Sequence, residues 1–211
     1  MKVVAVRLQE LQFRMCGMVR SIVRLAVLLL LLSSSAFAGD FNIYLANAKS
    51  ETNRHGQSRF RMISFELIGR PKLPRLLERY LPNARAGVDI DYSDVRQPRS
   101  WFGYTYGDPD DSVRAEWAHF FIRQYWGSSS NTLRPYVDLG TGPMWSNRRI
   151  PAATAKANFN SQLGLGVALF PNARTPLYIG YRFFHISNGG LFAGRNPGLN
   201  VNGFFIGTRV R

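Results

Sequence analysis

The sequence predicts an all-β chain that closes an antiparallel β-barrel in an outer membrane, and three observations predict it. An export signal heads the chain. Aromatic and β-branched segments then alternate with Gly, Pro, Asn and Ser clusters, a strand-and-turn pattern rather than a helical one. The later segments set an apolar face against a polar or glycine-rich one, as a barrel wall between lipid and a small filled interior requires.

Taking the elements in order, Arg14, Arg20 and Arg24 precede an apolar run from Leu25 to Leu32, followed by Ser33 to Ser35 and Ala36-Phe37-Ala38. This is the pattern of a secretory signal peptide over residues 1–38, cleaved after Ala38, with residues 39–211 as one barrel domain. No later stretch approaches the roughly 18 to 20 apolar residues a spanning helix needs, so a membrane would be met with strands. Cys16, the only cysteine, lies in the signal, which excludes disulfides, thiol nucleophiles and cysteine-ligated metals from the exported chain. The formal charge of the whole chain is +14; residues 1–38 carry five Lys or Arg and one Glu, and their removal leaves +10. Such a charge suits a polyanionic partner. Export and the lack of a nucleic-acid motif point to an anionic membrane surface such as lipopolysaccharide rather than nucleic acid.

Strands are predicted at 41–48, 59–68, 86–93, 100–106, 112–125, 133–145, 158–170, 176–187 and 199–210. Pro71 to Arg85, with Leu73, Leu76, Leu77, Tyr80 and Leu81, reads as a short amphipathic helix or a membrane-surface loop. Leu133, Val137 and Leu139 oppose Arg134, Tyr136 and Asp138; Phe159, Leu163, Leu165, Val167 and Leu169 oppose Asn160, Gln162, Gly164 and Gly166. Strands of about 10 residues suit a tilted bilayer crossing, whereas a soluble barrel with its apolar face inward has the same period. In the membrane reading Trp101, Trp117, Trp126 and Trp145 form interfacial girdles. His55 falls in a polar loop, and His119 in an aromatic strand without a matched partner. Asp108, Asp110 and Asp111 make an acidic turn, since no spaced set of calcium ligands follows them.

The densest stretch chemically is His185-Ile186-Ser187-Asn188-Gly189-Gly190, followed by Asn196-Pro197-Gly198-Leu199-Asn200. Residues two apart on a strand share a face, so His185 and Ser187 form a base and a hydroxyl within reach of each other, beside glycine-rich backbone donors. Leu177, Ile179, Tyr181 and Phe183 continue by twos into this pair, which places it on the lipid-facing wall. On the last strand Phe204, Ile206, Thr208 and Val210 count back to Asn202 and Asn200, and antiparallel pairing would bring Asn200 beside the pair. A polar cluster facing lipid is costly unless it sits at the interface and is internally hydrogen-bonded, so function is its better explanation.

Arg134-Pro135-Tyr136-Val137-Asp138-Leu139-Gly140-Thr141-Gly142, Ala157-Asn158-Phe159 with Gln162-Leu163-Gly164-Leu165-Gly166, and the His185 to Gly190 and Asn196 to Asn200 segments follow, in order, the pattern of the PagL family of lipid A 3-O-deacylases. The chain resembles that family from about 134 to 210. The resemblance implies an eight-stranded outer-membrane barrel of a Gram-negative cell, so that 86–93 or 100–106 is loop or half of a longer strand. It also implies an ester hydrolase that acts on lipid A of lipopolysaccharide and needs no metal or cofactor. Carried over by position, Ser187 is the nucleophile and His185 the general base. Gly189 and Gly190 N–H groups with the Asn196 side chain are the oxyanion donors, and Asn188 orders the turn or donates as well. One position departs from the pattern: Asn200 stands where the family has a glutamate. No Asp or Glu follows Asp138, so a substitute acid would be Asp138, poorly placed because it alternates inward, or come from the N-terminal half. Asparagine can itself accept the imidazole N–H and fix its tautomer. The alternative is a non-catalytic exported barrel, structural or lipid-binding. The sequence leaves the oligomeric state, a homodimer included, open.

Overall fold

The structure, a computed structural model, describes residues 39–51, 57–71, 74–98, 100–101, 104–105, 112–152, 154–191, 196 and 198–210. The expected signal peptide lies outside them, as do His55, Asp108, Asp110 and Asp111. The elements are β1 (Asp40–Ser50), β2 (Arg59–Gly69), α1 (Arg75–Tyr80), β3 (Ala84–Arg96), β4 (Ser100–Trp101), β5 (Tyr104–Thr105), β6 (Ser112–Tyr125), β7 (Leu133–Ser146), β8 (Ala157–Leu169), β9 (Leu177–Ser187) and β10 (Leu199–Val210). Eight of them close a barrel in the order β1-β10-β9-β8-β7-β6-β3-β2, with antiparallel neighbours throughout.

The expected strand at 100–106 is therefore not a barrel strand. It is the short β4–β5 hairpin, and the 86–93 segment grows at both ends into β3. Pro98 has no N–H to give a ladder, which suits the end of β3 there. Between β2 and β3 the helix alternative holds: α1 has Pro74 at its N-cap, Pro82 just beyond its C-cap, and no buried residue.

The alternation fixes which face meets lipid. Phe204 is 72% exposed while its neighbour Phe205 is 2% exposed, and Leu139, Leu163, Leu165, Ile179 and Phe183 are exposed on the same outer wall. The interior is layered. One end is filled by an apolar cluster including Phe60, Met62, Trp117, Met144, Ile150, Phe184, Ile186 and Leu199; the other by Tyr44, Tyr125, Tyr136, Tyr178 and Phe205. The structure corrects two expectations here. Trp117 is not an interfacial girdle residue but 1% exposed inside the barrel. His119 is not without a partner: it is buried with Nδ1 3.4 Å from Asp91 Oδ2 and its ring stacked on Phe184.

Between the two clusters lies a charged belt. Arg123 donates from Nε to Asp138 Oδ1 at 2.6 Å and from NH2 to Glu66 Oε2 at 2.6 Å, while its guanidinium lies 4.4 Å from the Tyr136 ring centroid. Asn42 and Tyr44 also donate to Glu66 Oε1, at 2.6 and 2.9 Å. Arg182 donates to Asp89 Oδ2 at 2.9 Å, and Ser64 donates to Asp91. A buried charge is tolerable only when paired and hydrogen-bonded, which these carboxylates and guanidiniums are. Asp138, read as inward-facing, is thereby committed to Arg123.

Candidate active site

β9 and β10 build the site. Their register sets His185 directly opposite Asn200, and because both lie on outward positions their side chains meet outside the barrel. His185 Nδ1 and Asn200 Oδ1 are 2.7 Å apart. Ser187, two residues along the same face, ends β9 and is half-buried. Among the described residues no hydrogen bond links Ser187 Oγ to His185; such contacts commonly tighten only when substrate binds.

The pairing extends into a polar row around the wall. Thr141 on β7 faces Ser161 on β8, Ser161 faces His185, and His185 faces Asn200. Thr141 and Ser161 hydroxyls are 3.0 Å apart. The row is continued by Glu51, just past the end of β1. Its N–H donates to the Asn200 carbonyl at 3.2 Å, and its Oε1 accepts from Asn200 Nδ2 at 3.1 Å. Two positions along each strand toward the other end of the barrel, Leu139, Leu163 and Phe183 are apolar and exposed. The row thus stands where the apolar wall gives way to a mostly polar rim, in which Phe159, opposite Ser187, is still exposed.

The turn after β9 is held by its own side chains. Gly189 and Gly190 adopt φ of +61° and +75°, left-handed values that glycine takes without steric penalty. Asn188 is buried; its Oδ1 accepts from Gly190 N–H at 2.8 Å, and its own N–H donates to Asn196 Oδ1 at 3.0 Å. Asn188 is thus bonded to both Gly190 and Asn196 across the turn. Gly190 N–H, expected as an oxyanion donor, is already given to Asn188. Gly189 N–H and Asn196 Nδ2 are not taken up by these bonds.

Two residues that sequence reasoning missed touch the site. A Cβ on Gly198, whose φ is +39°, would stand 3.0 Å from His185 Cε1 and 3.5 Å from Nε2, so glycine makes room for the imidazole. Its signal is its place between Pro197 and Leu199 in the motif. Glu51 has no local signal, since it meets Asn200 only because β1 and β10 close the barrel.

Two further clusters lie elsewhere. Asp89, Asp91 and His119 bring three ligand-type atoms within 4.8 Å of one another. They lie inside the barrel, on the opposite face of the wall from His185, and Arg182 and Ser64 already engage the carboxylates. On the outer wall beside the site, Lys49, Arg59 and Arg96 are successive cross-strand partners on β1, β2 and β3, all exposed, and among the described residues no acid lies opposite any of them. Arg61 and Arg114 flank Asp94 in the neighbouring row and with Ile63 and Tyr92 line a groove of about 330 Å³.

The closed eight-stranded wall, apolar outside and filled inside by two apolar and aromatic clusters around a charged belt, is that of an outer-membrane β-barrel, here with a polar row on its lateral face. A family model for the lipid A 3-O-deacylase (PagL) matches residues 83–209, and the chain belongs to this family of lipid A deacylases. The fold is similar to the crystal structure of the outer membrane enzyme PagL, with a TM-score of 0.54 and 14% identity over 78% of this chain and 97% of that one. It is similar also to Neisserial surface protein A, at a TM-score of 0.52 and 12% identity over 82% and 96%. Among curated protein sequences none matches.

Proposed function

We propose that the chain is a serine esterase that removes the 3-O-linked acyl chain from lipid A, with Ser187 as nucleophile and His185 as general base. The observation that carries this reading is the position of the polar row. An acyl ester of a glycolipid lies where the acyl chain meets the sugar, and the His185–Asn200 pair faces outward at the matching boundary of the wall. Lipid already in the membrane would reach the site sideways, with its chains along Phe183, Leu163 and the rest of the apolar face.

Ser187 Oγ attacks the ester carbonyl carbon while its proton passes to His185 Nε2. His185 Nδ1–H donates to Asn200 Oδ1, which holds the ring and stabilises the imidazolium that forms. The negative charge on the carbonyl oxygen is met by Gly189 N–H and Asn196 Nδ2, the donors the turn leaves uncommitted. Collapse breaks the ester C–O bond, and His185 returns its proton to the leaving sugar oxygen. Water, deprotonated by the same nitrogen, then attacks the acyl-serine and frees the fatty acid and the hydroxyl.

The Lys49, Arg59 and Arg96 row supports a phosphorylated head group. Like charges directly opposite across strands are destabilising, and phosphates of lipid A would neutralise them beside the ester. The reading is tested by mass spectrometry of lipid A from a Gram-negative host making the wild-type chain or Ser187→Ala at equal outer-membrane abundance. Loss of one 3-O-acyl chain with wild type alone is expected. Unchanged lipid A from both folded proteins would leave the non-catalytic barrel as the better account.

A further inference from the structure

The outward row holds one acid, and it is bound to Asn200 rather than to His185. We propose that Glu51 is a positioning residue that orients the Asn200 amide and thereby selects the His185 tautomer able to act as a base; this rests on the esterase reading of the same site.

An asparagine beside a histidine is ambiguous. Its amide can present oxygen to the ring, which requires Nδ1 to carry the proton and leaves Nε2 free to accept. Turned over, it presents NH₂, which requires a bare Nδ1 and puts the proton on Nε2, where it blocks removal of the serine proton. Replacing the acid by asparagine in serine hydrolases lowers kcat by about 10⁴-fold through this wrong tautomer. Glu51 removes the ambiguity. An ionised carboxylate only accepts, so with Oε1 3.1 Å from Asn200 Nδ2 it holds the NH₂ toward itself, and Asn200 Oδ1 is left facing His185 Nδ1 at 2.7 Å. Its negative charge also polarises the amide in the sense that favours the imidazolium.

The backbone places Glu51 for this. Its N–H donates to the Asn200 carbonyl at 3.2 Å. The preceding Ser50 is buried, with its N–H on Ser58 O at 2.8 Å and its Oγ accepting from Ser58 N–H at 2.8 Å, so the mouth of the β1–β2 loop is closed on both sides of the residue before Glu51. The family's single acid is thus replaced by two residues in series, one from each strand at the barrel's closing seam.

The test combines kinetics with ¹⁵N NMR of the His185 ring in the full-length protein. Glu51→Gln, whose side chain can turn its own NH₂ toward Asn200 Oδ1, should lower kcat on lipid A by roughly 10²-fold, short of the ~10⁴-fold of an unsupported asparagine, with KM within about twofold. In an Asn200→Asp background, where a carboxylate accepts directly from His185, Glu51→Gln should change kcat by less than about twofold. In the Ser187→Ala protein, NMR should show Nδ1–H as the main tautomer, and Glu51→Gln should shift population to Nε2–H. Equal losses from Glu51→Gln in both backgrounds, or an unmoved tautomer, would overturn the proposal. The tautomer measurement needs no turnover, so an enzyme that failed to cleave lipid A would defeat the esterase reading while still testing this one.

Discussion

The molecule has two polar belts, one inside its wall and one outside, and they are built on opposite principles. Inside, Arg123 is fully buried and grips Glu66 and Asp138 through several short hydrogen bonds, with Asn42, Tyr44 and the Tyr136 ring closing around them. Outside, His185 is exposed and holds Asn200 by one bond, Asn200 holds Glu51 by another, and Ser187 stands beside them. The inner belt pairs its guanidiniums with its carboxylates and so ties strands together. The outer belt keeps an imidazole nitrogen and a hydroxyl available at the membrane-facing surface, where polar groups have no packing reason to be.

If this contrast is right, substitutions should divide into those that break activity without the barrel and those that break the barrel. The largest effect is expected for Ser187→Ala, which should lower kcat by about 10⁶-fold, as removal of a serine nucleophile does elsewhere. Its heat-modifiable migration on a denaturing gel should match wild type. Arg123→Met should do the reverse. It leaves Glu66 and Asp138 buried without their cation, a loss of about 3–5 kcal/mol, read as a lower urea midpoint in detergent or lipid. Unaltered stability would mean the inner belt is hydrated and weakly coupled.

Smaller effects sharpen the outer belt. Gly198→Ala places a methyl 3.0 Å from His185 Cε1, on a backbone with φ of +39°, so the ring must give by a few tenths of an ångström. The displaced ring should lower kcat by less than the roughly 10²-fold that misplacement by about 1 Å can bring, and any effect confined to KM would argue against ring displacement. The smallest change is expected from the Lys49→Gln, Arg59→Gln and Arg96→Gln triple variant. KM for bisphosphorylated lipid A should rise by roughly tenfold, on the order of 0.5 kcal/mol per removed contact at exposed sites, with kcat held. The rise should shrink at high salt, and dephosphorylated lipid A should not distinguish the variant from wild type.

The outer belt is more legible in the sequence than the inner one, for a physical reason. On β8 one face is apolar and the other polar or glycine, so a period of two assigns each side chain a direction; β9 and β10 hold apolar groups on both faces, among them Phe183 and Phe184, but counting by twos still puts His185 with Ser187 on one face and Asn200 with Phe204 on one face. On β6 both faces carry large apolar groups: Phe120 and Ile122 point out, Trp117 and Phe121 point in. Period alone gives no direction there, which is why the pattern puts Trp117 on the wrong face and leaves His119 without a partner. Glu51 is invisible for another reason, since 149 residues separate it from Asn200 and only barrel closure joins them. The turn glycines are legible as a pair but not individually. Gly190 gives its N–H to Asn188, and nothing in the two letters distinguishes it from Gly189.

Ser187, half-buried on the outer wall, must be an activated nucleophile if the chain is a serine esterase. The most direct test is treatment of the folded, purified protein with a long-chain alkyl fluorophosphonate, followed by intact-mass and peptide mass spectrometry. One phosphonyl adduct, mapped to Ser187 and lost in His185→Ala while the barrel stays folded, is the predicted result. A folded wild-type barrel that remains unlabelled, or one labelled equally with and without His185, would contradict it.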